Sequence, residues 1–153
     1  MGYDMRRFAN AAAPHLEDGE HVLGGTWART SGGFAAERAF GLAAGIAAQV
    51  GTDDRDPVRL PRAFEVAVTE QRLLFFARSP LTGRPRRLVA EVPMGDVAVA
   101  EITTRHKGVE TVAVVLRRGE TISFEVVGLG ARTLVGGFVA CVNQQLAGAR
   151  CTS

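Results

Sequence analysis

Four arginines crowd one short stretch of this 153-residue chain, Arg78-Ser79-Pro80-Leu81-Thr82-Gly83-Arg84-Pro85-Arg86-Arg87. Guanidinium forks match phosphate geometry, so Arg78, Arg84, Arg86 and Arg87 around a Pro/Gly-pinned loop are candidates for binding phosphate or an anionic lipid headgroup. Arg117 and Arg118, in a later turn, are candidates for the same site. The plainer reading is a solvated hairpin tip kept soluble by its charge. A second candidate is Gly41-Leu42-Ala43-Ala44-Gly45-Ile46. Two glycines four residues apart share a helical face and let another backbone come close. Phe34, Leu42, Ile46 and Val50 add an apolar stripe at multiples of four. Gly41, Leu42, Gly45 and Ile46 are therefore a candidate interaction helix. Its uncharged run, Ala39 to Val50, is 12 residues, short of the ~20 that a spanning helix needs. It is expected to pack on the rest of the chain or on a neighbouring subunit.

Other chemistries lack their residues. Gly128-Leu129-Gly130 mimics the start of a dinucleotide-binding turn, but Thr133 stands where the third glycine is needed. The reading left is a glycine hinge between a strand and a helix. His15, His21 and His106 are scattered, with no ligand partner at helical spacing, so no metal is expected. Cys141 and Cys151 match no zinc spacing. Cys141 reads as a small apolar residue on a buried helix face. No serine sits in a nucleophile elbow and no acidic pair stands out, so no catalytic residue, cofactor or enzymatic activity is expected. The basic loops lack interleaved aromatics, which argues against nucleic acid as a partner.

The elements that must carry these residues follow from hydrophobic period. Between Ala63 and Val127 apolar residues alternate: Phe64, Val66, Val68; Leu73, Phe75, Ala77; Leu88, Ala90, Val92; Val97, Val99; Val112, Val114, Leu116; Ile122, Phe124, Val126. Period two, cut by turn signals, is the pattern of half-buried antiparallel strands. His21 to Trp27 supplies an earlier strand, with Trp27 packed on the core or its rim. A short helix is expected over 4–13, with Met5, Phe8 and Ala12 on one side and Pro14 ending it. Leu134, Phe138, Cys141/Val142 and Gln145/Leu146 recur at helical spacing and predict a helix over 131–147. The length suits one domain, 1–153, with the Ala/Gly segment an insertion over about 33–62. The net charge of +2 is unevenly spread, since residues 55–87 hold eight arginines against three acids. Met1 to Asn10 has Asp4 beside Arg6 and Arg7 and no apolar core, so it does not read as a signal peptide. With so few cysteines, a reducing cytoplasm is the expected compartment.

Val66-Ala67-Val68-Thr69-Glu70-Gln71-Arg72-Leu73-Leu74-Phe75-Phe76 resembles the second-to-third strand hairpin of bacterial pleckstrin-homology-like and GRAM-like domains. Val89 to Val97 is similar to the segment where such chains turn from one sheet into the other. Leu16-Glu17-Asp18-Gly19-Glu20, with Val22-Leu23, is similar to their approach to the first strand, and Arg118-Gly119-Glu120 to their last hairpin turn. The resemblance covers about residues 16–29 and 63–147. It implies a bent antiparallel β-barrel of about seven strands, capped by a C-terminal helix, with the Ala/Gly helix inserted after the first strand. This chain lacks the Trp that eukaryotic members carry in that helix, and Phe138 is expected to fill its space. The resemblance places the Arg78–Arg87 loop and the Arg117-Arg118 turn near one open end. It implies a non-enzymatic adaptor that binds protein partners or self-associates as a homo-oligomer. The alternatives are peripheral binding to the inner face of an anionic membrane and an enzyme holding a small ligand in the barrel mouth.

Overall fold

A computed structural model describes residues 5–30, 62–79, 81, 85–106, 108–128 and 130–152, apart from the side chains of Arg86 and residues 149–152. Gly41, Leu42, Gly45, Ile46 and Arg84 lie outside the described residues. Helix α1 (Met5–Ala12) leads, through a short 3-10 turn at Ala13–His15, into β1 (Val22–Thr30). Then come β2 (Ala63–Thr69), β3 (Arg72–Arg78), β4 (Pro85–Pro93), β5 (Val97–His106), β6 (Val109–Leu116) and β7 (Thr121–Val127). Helix α2 (Ala131–Thr152) ends the chain and runs past the boundary expected near 147. The fold is thus mainly β, a seven-stranded antiparallel sheet with a helix at each end of the chain.

The strand order is β4-β3-β2-β1-β7-β6-β5. Every neighbour pair joins strands consecutive among the described residues except β1–β7, where Arg29 and Thr30 meet Glu125 and Phe124. The alternating residues become the inner face. Phe64, Val66, Val68, Leu73, Phe75, Val112, Val114, Leu116, Phe124 and Val126 form one cluster with Val135, Phe138, Val142 and Leu146 of α2. Phe138 stands edge-on to Phe124 with ring centroids 5.7 Å apart, and Phe124 meets Phe64 in the same way at 5.7 Å. Each such pair adds about 0.5–1.5 kcal/mol beyond its area burial.

Two expectations are corrected. The sheet is not closed into a barrel: β4 and β5 are its outer strands and share no ladder. Pro93 ends β4 without an N–H to donate, and the three residues Met94–Asp96 form a 3-10 turn instead of a hairpin. Helix α2 also sits where a closing strand would pair. Asn143 accepts the Ala100 amide at 3.0 Å and donates to the Ala100 carbonyl at 2.9 Å. The second correction concerns β2, which was expected to be half-buried. Its other parity is buried too: Glu65, Ala67 and Thr69 are all inaccessible. The outer face of this part of the sheet is covered by α1, whose Phe8 and Ala12 pack with Ala67, Leu74 and Phe76.

Gly24 and Gly25 of β1 allow the two helices to approach from opposite faces. A Cβ on Gly25 would lie 2.7 Å from the Phe8 ring and 2.7 Å from the Val66 carbonyl oxygen. A Cβ on Gly24 would lie 3.1 Å from the Cys141 sulfur of α2. Trp27, half-buried at the rim, donates its indole N–H to the Val127 carbonyl at 3.3 Å. Gly128 and Gly130 take φ of 118° and 81°, the left-handed turn that brings β7 onto α2.

Candidate functional site

Among the described residues the candidate arginines do not gather into one site. Arg78 ends β3 opposite Pro85, with its Nε 4.0 Å from the buried Glu65 carboxylate. Arg87 is exposed on β4, and Arg86 lies on the same strand. The Arg117-Arg118 turn belongs to the other end of the β3–β4 pair. The Arg117 amide donates to the Asp96 carbonyl at 2.8 Å, and the Met94 amide to the Gln71 carbonyl at 2.7 Å. Gln71 precedes Arg72, where β3 begins. Arg72 and Arg78 are six residues apart along the strand, about 20 Å at the usual rise. Arg118 pairs with Glu120 of its own turn at 3.3 Å. The tight β4–β5 link causes the separation, because it starts β5, and with it the β6–β7 turn, where β4 stops.

Three of the four sequence patterns that carried the family resemblance meet in one polar cluster. Arg72 donates through Nε to Glu20 Oε1 at 3.0 Å and through Nη2 to Oε2 at 2.9 Å. Its Nη1 reaches Glu91 at 2.6 Å and its Nη2 the His15 carbonyl at 2.5 Å. The Thr69 hydroxyl donates to Glu20 Oε1 at 2.6 Å and accepts the Gln71 and Arg72 amides, each at 3.1 Å. The Glu17 amide closes the loop onto Glu20 Oε2 at 2.9 Å. The Arg72 hydrogen bonds hold the Glu20 carboxyl down at about 2 against the opposing effect of burial, with help from Glu17 and Thr69. The same pairing raises Arg72 above its ordinary value. All of these groups are satisfied by one another, so the cluster ties the chain ahead of β1 to the β2–β3 turn.

Helix α2 and strand β5 present the surface that the residue types did not single out. Asn143 satisfies both backbone groups of Ala100, which blunts the β5 edge at that point. Cys141 lies half-buried against Gly24, and burial pushes its thiol up and so disfavours the thiolate. The helix exposes Thr133, Gly137, Ala140, Gln144, Ala147 and Gly148. From Thr133 to Gly148 it carries no charged residue. That run is visible in the sequence, but only the packed helix shows which of its positions face solvent. Beside it, β5 exposes Glu101, Thr103, Thr104, Arg105 and His106.

Among the described residues no three His, Cys, Asp or Glu side chains are placed to hold a metal ion. No described helix is long and apolar enough to cross a membrane. No protein-family model matches this chain, and no curated protein matches it.

Proposed function

We propose that this chain is a pleckstrin-homology-like, non-enzymatic adaptor domain that binds protein, its own copy included, through the outward face of α2 beside the β5 edge. The observation that carries this reading is the uncharged solvent face from Thr133 to Gly148. Exposed helix positions ordinarily carry charge for solubility. Covering Gly137, Ala140 and Ala147 desolvates no charge and freezes almost no side-chain entropy. The polar exposed end of β5 would form the rim of such an interface. The pleckstrin-homology-like assignment is supported by the strand order, the C-terminal helix and the position of Phe138 in the core. Anionic lipid or phosphate binding through arginine has less support, since Arg78 and Arg87 sit at one end of the β3–β4 pair and Arg117 and Arg118 near the other.

The test is light scattering over a wide concentration range, combined with a photo-crosslinking residue at position 140 in native lysate. A mass that rises with concentration, and returns to the monomer in Ala140→Arg and Gln144→Arg with unchanged far-UV circular dichroism, supports self-association. A discrete adduct at 140, absent from a crosslinker at Thr121 on the sheet, supports a second protein. A monomer at every concentration with no adduct at 140 refutes the reading. Salt-sensitive flotation with anionic vesicles, lost in Arg87→Ala, would move the assignment to the lipid alternative.

A further inference from the structure

The sheet carries a second apolar surface on the face turned away from α2. There Ala67, Leu74 and Phe76 are fully buried beneath Phe8 and Ala12 of α1, with Val22 and Leu88 half-buried at the margin. None of these residues belongs to the core that α2 covers. The groove is built around one socket. A Cβ on Gly25 would fall 2.7 Å from the Phe8 ring, so the missing side chain is the hollow that the ring fills.

The occupant of that socket is small. Helix α1 has eight residues, below the ~12–15 at which an isolated helix is even marginal in water. Phe8 and Ala12 are its fully buried residues, while Met5, Arg6, Ala9 and Asn10 are exposed. Ala13 and Pro14 follow, both exposed, and Pro14 has no N–H with which to carry the helix on. Beyond them the chain is fixed independently of α1. Arg72 holds the His15 carbonyl at 2.5 Å and the two Glu20 oxygens at 3.0 and 2.9 Å. Rotation at Ala13 and Pro14 therefore swings α1 off the sheet and leaves the Glu20–Arg72 cluster in place.

Swung out, α1 exposes Phe8 and uncovers Ala67, Leu74 and Phe76, and both apolar surfaces then need cover. Among the described residues the helix that fits this groove is α1, and a second copy of the chain carries the same helix. Exchanged between two copies, each α1 makes in the other's groove the contacts it makes in its own. The contact free energy is then kept, and only the association itself has to be offset. We infer that α1 is an exchangeable arm, and that the groove around Gly25 takes α1 of a second copy of this chain. This contact is separate from the outward face of α2 and does not depend on it.

The test replaces Ala11, half-buried at the edge of the groove, by a photo-crosslinking residue in two batches of the full chain, one light and one isotopically heavy. The batches are mixed in equal amounts at about 1 mM, the effective concentration of a short tether, left to equilibrate and irradiated, and the adducts are mapped by mass spectrometry. Exchange predicts adducts that join a heavy α1 to the β2–β4 face of a light chain and the reverse. They should approach about half of all α1–groove adducts in fully exchanged two-fold pairs. Diluting the chains before mixing should reduce them. Phe8→Ala in both batches should lower the mixed adducts about 10- to 100-fold, the factor that burial of one Phe side chain supplies. Ala140→Arg, on the outward face of α2, should leave them unchanged. If the Phe8 variant fails to fold, the heavy–light measurement on the otherwise native chain still decides. The inference is overturned if every adduct lies within one chain at 1 mM, if mixed adducts persist in a folded Phe8→Ala chain, or if Ala140→Arg abolishes them, since the α2 face would then be what holds the copies together.

Discussion

Replacing Glu20 by Gln keeps the shape of the side chain and removes its charge. In the native chain Arg72 holds both carboxylate oxygens, at 3.0 and 2.9 Å, while Thr69 donates at 2.6 Å and the Glu17 amide at 2.9 Å. The Glu20 side chain is fully buried, and its carboxyl is lowered from 4.5 to about 2. That difference corresponds to about 3 kcal/mol of folding stability. The folded value lies below the unfolded one, so the contribution is complete above about 4.5 and is lost as pH falls through about 2. Gln also leaves Arg72, only 15% exposed, with Glu91 as its one charged partner among the described residues. Removing one member of a buried pair costs roughly 3–5 kcal/mol, and the residual amide contacts favour the lower end. Urea unfolding followed by Trp27 fluorescence and far-UV circular dichroism should therefore place Glu20→Gln about 3 kcal/mol below the native chain at pH 7. By pH 3 the gap should narrow to under half of that, because the native carboxylate is losing its advantage. A gap below about 1 kcal/mol at pH 7, or one unchanged at pH 3, would refute the assignment of this cluster as the clasp between the chain ahead of β1 and the β2–β3 turn.

Gly25→Ala should cost about 1–3 kcal/mol in the same unfolding assay, since its Cβ would overlap both the Phe8 ring and the fixed Val66 carbonyl. Gly24→Ala should cost less, because its Cβ meets only the Cys141 side chain, at 3.1 Å. Asn143→Ala removes both contacts to Ala100 and should cost about 1–3 kcal/mol. Hydrogen exchange at the Ala100 amide should accelerate well beyond that of its neighbours, and equal acceleration along β5 would count against a local role for Asn143.

Period-two patterning was enough to read β2, β3, β6 and β7, because alternate residues such as Phe64, Val66 and Val68 must share one buried face. It failed for the other parity of β2. Glu65 and Thr69 look like surface residues by type, and nothing local announces that α1 packs over that face or that Arg78 and Arg72 stand beside them. The Glu20–Arg72 pair was present in the sequence as two separate family-like patterns 52 residues apart. Their joint role needed the β1–β2 register, which sets Val22 opposite Thr69. The arginines are the converse case. The family resemblance and a shared charge suggested one site, yet the three-residue β4–β5 link sends Arg117 and Arg118 toward the opposite end of the sheet from Arg78.

What this sequence determined by itself was therefore the set of elements and the face that each turns to the core, since side-chain period and turn residues act within a few positions of one another. Closure of the sheet, the burial of Glu20 and Glu65 and the capping of the β5 edge by Asn143 were decided only by tertiary structure. Each depends on which distant segments are brought within about 3 Å, the range over which hydrogen bonds act.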